Sequence, residues 1–220
     1  MFFSLATVWI GLLKPTPCSV QPMQGWPQAT GQVPAPAPRA ARVEVADAFA
    51  KLRQITWAFH SPANFAAGDA ELDILANALG AGGTGRLYKT LVHERQLAQS
   101  VSVYQSGSQF SGMFVVSVTA QTGADLAAIE QLVTDELTRA RTTRITDAEI
   151  ARAVTQVEAR MVYGLESLMG RANLLQAYNH YLGAPDRLGV DLARYRGATA
   201  DGIRATAAQV IDLARAVVIV

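Results

Sequence analysis

Apolar residues fall at every second position in Ile55, Trp57 and Phe59, with Gln54, Thr56 and Ala58 between them. That period predicts a strand, ended by Pro62 and Asn64. Over residues 70–79 the spacing changes: Leu72, Leu75, Ala76 and Leu79 recur at three and four steps, which predicts a helix, and the glycines of residues 80–83 stop it. Residues 86–95 read as a second short helix. Alternation returns at Val101 and Val103, then at Phe114, Val116 and Val118, and the Gly107 to Gly112 turn region between them makes the pair a β-hairpin.

The second half reads as helical. Leu126, Ile129, Val133 and Leu137 share one helix face. Residues 146–149 (TDAE) form a capping box, in which the Thr146 hydroxyl and the Glu149 carboxylate each satisfy a free backbone N–H at a helix start. Ile145 and Ile150 flank it as a hydrophobic staple. Ile150, Val154, Val157, Met161, Leu165 and Leu168 continue at helical steps, with Gly164 and Gly170 as bends or close-packing points. Another helix is expected over residues 199–213. Residues 216–220 (AVVIV) are an unbroken apolar run that suits a strand buried on both faces. Strands grouped around helical pairs, with the last strand returning after a long helical stretch, indicate an α+β class.

Half of the 220 residues are hydrophobic, enough for a substantial core. With 19 basic and 18 acidic residues the formal charge is +1, and no basic block exists to follow a phosphate backbone, so nucleic acid is excluded as a partner. The single cysteine, Cys18, rules out an internal disulfide framework. Residues 1–13 are apolar but shorter than the roughly 20 residues a membrane-spanning helix needs, so no stable membrane span is expected. Read as a signal peptide, the segment lacks a preceding Lys or Arg and a clear small-x-small cleavage site. Read as a lipid anchor site, Cys18 follows the unsuitable pair Thr16 and Pro17, and the third reading is a remnant of an upstream region. Localisation is expected to be periplasmic or secreted, with the cytoplasm as the alternative. Seven of the nine prolines lie between Pro15 and Arg42, a composition that favours an extended linker. An apolar segment and a Pro/Ala-rich linker are therefore expected over residues 1–41, and one folded domain over 42–220.

Candidate chemistry is scarce. His60, His93 and His180 are far apart in sequence, and residues 93–97 (HERQL) match neither the His-x-x-Glu-His nor the His-Glu-x-x-His pattern that sets two imidazoles one helical turn apart. Ser61 and Ser167 lack the Gly-x-Ser-x-Gly elbow of an activated nucleophile. The glycines of residues 80–85 lack the Gly-Lys-Ser/Thr ending of a phosphate loop.

Residues 72–80 (LDILANALG), 82–88 (GGTGRLY), 91–102 (LVHERQLAQSVS) and 145–149 (ITDAE), in that order and spacing, resemble the C-terminal domain of the insulinase/pitrilysin zinc metallopeptidases. The resemblance covers residues 42–220. It implies a metallopeptidase half-domain with a mainly antiparallel sheet packed against helices, of the non-catalytic type that helps enclose and bind peptide. On this reading the chain carries no cofactor, is inactive alone, and works with a zinc-bearing domain or subunit. Many members have an arginine and, seven residues later, a tyrosine that reach substrate. The matching positions here are Val92 and Gln99, which offer no guanidinium fork and an amide in place of a phenol. Two alternatives stay open: a degenerate paralogue serving as a structural or interaction module, and a fragment of a longer peptidase.

Overall fold

The computed structural model describes residues 39–220, so the readings of the apolar segment, of Cys18 and of most of the linker lie outside the described residues. The alternating segments pair into one sheet of five strands: β1 (Ala41–Val43), β2 (Gln54–Ser61), β3 (Ala98–Gly107), β4 (Gly112–Ala120) and β5 (Val217–Ile219). Their order is β1-β5-β2-β4-β3. β1 runs parallel to β5, and every other pairing is antiparallel. The fold class is thus the α+β class expected.

Ile55, Trp57 and Phe59 point to the same face as Phe114, Val116 and Val118, and all six are nearly or fully buried. Helices α1 (Asp69–Gly80), α3 (Leu126–Thr142), α4 (Asp147–Gly164) and α7 (Ala200–Val210) close this core with Leu72, Leu75, Leu79, Ile129, Val133, Leu137, Val157 and Ile203. The opposite sheet face is more polar: Thr56 and Ser117 share a hydrogen bond at 3.0 Å there.

The capping box forms as expected. Thr146 Oγ1 accepts from Glu149 N at 3.2 Å, and Thr146 N donates to Glu149 Oε2 at 2.8 Å. The expected helix over residues 86–95 is real but divided: an α-helical turn, α2 (Arg86–Tyr88), widens into a π-helical turn (Lys89–Glu94).

Other elements differ from the sequence reading. The helix after Ile150 does not continue to Leu168. It ends at Gly164, and a separate helix, α5 (Leu168–Leu182), starts under the cap of Ser167, whose Oγ accepts from Gly170 N at 2.9 Å. Gly170 is a close-packing point, since a Cβ there would lie 1.9 Å from the Gly164 carbonyl oxygen. Helix α6 (Leu188–Arg196) and strand β1 were not anticipated. β5 is a three-residue strand with Ile219 exposed rather than a strand buried on both faces, because Val217 and Ile219 stand beside Ala58 and Thr56 on the sheet face away from the core, and Val218, beside Trp57, packs against it.

The α5–α6 pair is held to α1 by polar contacts. Asp69 and Asp191 are each 4% exposed. Arg194 bridges them, at 2.8 Å to Asp69 Oδ2 and 3.0 Å to Asp191 Oδ1. The Tyr178 hydroxyl donates to Asp191 Oδ2 at 3.0 Å, and Phe65 lies under the Arg194 guanidinium at 5.0 Å. Each buried charge is paired and hydrogen-bonded, the condition under which burial is tolerated. Beside this network the Tyr195 hydroxyl donates to Asp73 Oδ2 at 2.7 Å, while burial pushes the Asp73 carboxyl up to about 6.

Candidate functional site

The segment that carries Val92 and Gln99 begins where α1 ends. Gly85 is required by close approach: a Cβ there would fall 2.5 Å from Ala81 N and 2.7 Å from the Leu79 carbonyl oxygen. Gly85 is therefore the packed point of the junction between α1 and α2, while Gly82 and Gly83 stay exposed. Arg86 then turns away from solvent and grips Glu149 with both arms, Nε to Oε1 at 2.7 Å and a terminal nitrogen to Oε2 at 2.8 Å. Its other terminal nitrogen reaches Glu136 Oε1 at 3.3 Å. This fork ties the start of the segment to α3 and to the capping box of α4. The Arg86 guanidinium holds the Glu149 carboxyl down to about 2.

Beyond Tyr88 the wider turn shows in Arg95 N donating to the Thr90 carbonyl at 2.9 Å, five residues back. It sends Leu91 fully into the core and packs Val92 against it, half-buried, while His93, Glu94 and Arg95 stay exposed. Gln96 reverses the chain in a left-handed conformation, φ 52°, and Leu97 N closes the loop onto the Leu91 carbonyl at 2.9 Å. β3 follows at once. Ala98 pairs with Ala120 and Ser100 with Thr119, so Gln99 is an extra residue without an opposing partner, a β-bulge that leaves its side chain exposed.

Val92 and Gln99 thus sit on the two arms of one reversal. Valine presents no donor or acceptor, and the Gln99 amide is uncharged. Neither side chain can take or give a proton. The three histidines stay on separate elements, His60 in β2, His93 in the π turn and His180 in α5. Among the described residues no three His, Cys, Asp or Glu side chains are grouped as a metal site would need, so the residues present do not fit a resident zinc. No helix among the described residues is long and apolar enough to cross a membrane.

The family model described as the peptidase M16 inactive domain matches residues 9–157, from within the apolar N-terminal segment into α4. The chain belongs to that family. The insulinase/pitrilysin resemblance of the sequence is thereby shown, and with it the non-catalytic domain type. An uncharacterized zinc protease of Streptomyces coelicolor is 32% identical over 142 residues, 64% of this chain and 30% of that protein. A protease from Helicobacter pylori shares the fold with a TM-score of 0.74 at 18% identity, covering 82% of this chain and 44% of the other. The peptidase M16 inactive domain from Pseudomonas fluorescens matches with a TM-score of 0.67 at 16% identity, over 82% of this chain and 42% of that one. The chain therefore spans about a third of the length of its curated relative, and less than half of these two solved chains.

The sequence reading missed the bulge at Gln99 and the anchoring role of Arg86. Arg86 was seen only as part of a motif, although Glu149, its partner, was already identified in the capping box.

Proposed function

We propose that this chain is the chamber-forming, non-catalytic half of an M16 zinc peptidase, which helps enclose and bind an extended peptide for a zinc-bearing partner domain. The observation that carries the reading is the outer flank of β3, the last strand of the sheet. Ala120 N–H donates to the Arg53 carbonyl on the β2 side, and Gln121 N–H to the Leu97 carbonyl on the β3 side. Hydrogen bonds alternate along a strand, so Val101, Val103 and Gln105 turn their backbone groups to the flank that no strand occupies among the described residues. β3 has ten residues (AQSVSVYQSG) with no charge and no proline, the devices that usually blunt an edge. Substrate main chain can add there as a further strand whatever its side chains, and selectivity is then loose. Val92 and Gln99 flank the start of this edge. They supply shape in place of the hydrogen-bond fork and phenol of other members, and the chemistry comes from the partner.

The turn between α4 and α5 supports the partnered part of the reading. Val162 and Tyr163 at the end of α4 and Leu168 and Met169 at the start of α5 are 60%, 68%, 78% and 69% exposed, large apolar side chains available to an interface. The test is a fluorogenic peptide with this chain alone, with a zinc-bearing M16 domain alone, and with both. The chain alone stays inert, mixing raises turnover at least about tenfold, and Leu168→Asp with Met169→Asp removes the gain without lowering the melting temperature. Val92→Arg with Gln99→Tyr raises the turnover of the mixture further. Chelator-resistant cleavage by this chain alone would sink the reading, and so would an absence of gain with a partner shown to bind.

A further inference from the structure

β5 is shorter than the strand beside it. It pairs with β2 only at Thr56, Trp57 and Ala58, beginning at Val217 opposite Ala58, whereas β4 pairs with β2 along all eight residues. β2 therefore runs on through Phe59, His60 and Ser61 with no strand on its β5 side among the described residues. The backbone alternation that aims Thr56 and Ala58 at β5 aims His60 the same way. No hydrogen bond to the His60 N–H or carbonyl on that side is present among the described residues.

A cavity of about 490 Å³ lies against this unpaired stretch, lined by the apolar side chains of Ala58, Phe110, Met113, Val210 and Val217. That volume is in the range of small-ligand sites. His60 and Ser61 line it too, and His60 Nε2 and Ser61 Oγ are buried without a hydrogen-bond partner among the described residues. Ser61 is only 2% exposed. Unsatisfied buried polar atoms are costly, and here two such side-chain atoms stand on adjacent residues, beside the unpaired His60 backbone. The charged lining residues, Asp212 and Arg215, are paired with each other at 3.5 Å, so the cavity has no net charge to select an ion.

The geometry points to a second peptide site, distinct from the β3 edge: a short, uncharged, extended segment that pairs its main chain with His60 and places an apolar side chain in the cavity. Main-chain pairing supplies the donor and acceptor that His60 lacks, and the apolar lining selects a β-branched or aliphatic side chain. The site is built wholly from this chain and does not depend on the zinc-bearing partner.

The probe is the blocked pentapeptide acetyl-Thr-Val-Thr-Val-Thr-amide, titrated into the ¹⁵N-labelled chain. The His60 amide is expected to shift saturably with Kd below about 1 mM, and its hydrogen exchange to slow at least about tenfold. Replacing the peptide valines by glycine weakens binding at least about tenfold, and so does filling the cavity with Ala58→Leu. Three results would overturn the assignment: no saturable shift, shifts confined to the amides of Val101, Val103 and Gln105, or equal binding of the glycine peptide. The peptide comparison uses the unaltered chain, so it decides the matter even if Ala58→Leu fails to fold.

Discussion

Replacing Arg86 by alanine removes the clamp that ties the segment bearing Val92 and Gln99 to the rest of the domain. Its partners are largely shielded, with side-chain exposures of 14% for Glu149 and 11% for Glu136. In the intact chain Glu149 is held at about 2, against an ordinary 4.5. At 1.36 kcal/mol per unit that shift corresponds to about 3 kcal/mol. Arg86 is the largest cause, but the Thr146 cap supplies part of it and the site is partly hydrated, so Arg86→Ala is expected to cost about 2 kcal/mol at pH 7. A carboxylate whose pKa is depressed on folding stabilises above its unfolded value, and the benefit disappears as pH falls through the folded one. The gap between the two proteins should therefore be full above about pH 5, less than half by about pH 3, and gone near pH 2. Urea melts of both proteins at several pH values measure it. An equal gap at pH 7 and pH 3, or none at pH 7, would refute the clamp.

Three further expectations rest on single residues. Gln96 holds a left-handed φ of 52° that glycine adopts freely, so Gln96→Gly should raise stability by about 1 kcal/mol in a urea melt, and a lower midpoint would show that the glutamine side chain holds the reversal. Burial raises the Asp73 carboxyl to about 6, so its ionisation opposes folding increasingly from about pH 4 to pH 6 and fully above that. Asp73→Asn, which still accepts from Tyr195, should stabilise at pH 8 and change little at pH 4, and a uniform loss would mean that the charge itself is needed. Thr146→Ala should lower stability by about 1 kcal/mol, the worth of an N-cap hydroxyl, and an unchanged melt would place the start of α4 elsewhere.

What was legible in the sequence is what a local pattern decides. The alternation of Ile55, Trp57 and Phe59 and the hairpin of β3 and β4 are period-2 signals, and the capping box at Thr146 lies within four residues. α5 defeated the same method for a physical reason. Its apolar residues do not gather on one buried stripe: Leu168, Met169 and Leu175 are exposed, and only Tyr178 is buried. What holds it down is Tyr178, whose hydroxyl donates to Asp191 and whose ring meets Phe65, and Asp191 is tied in turn through Arg194 to Asp69; these partners are far apart in the chain and leave no periodic trace. β1 is equally silent, since all three of its residues are exposed, and it is held by backbone pairing with β5 and by the ion pair of Arg42 with the distant Glu130.

The candidate site divides along the same line. The missing zinc motif was readable because two ligands and a base would have to lie on one helical turn, and residues 93–97 do not supply them. The bulge at Gln99 was not readable, because a bulge is a mismatch between two strands and Ala98, Ser100, Thr119 and Ala120 look ordinary taken singly. The cavity beside His60 is a mismatch of the same kind, between an eight-residue strand and a three-residue one from the far end of the chain. Catalytic motifs are local because chemistry needs atoms within bonding distance, often on one element. An open strand edge depends on which strand ends first, so the two peptide sites proposed for this domain are set by register and strand length, and the sequence states these only after the strands are paired.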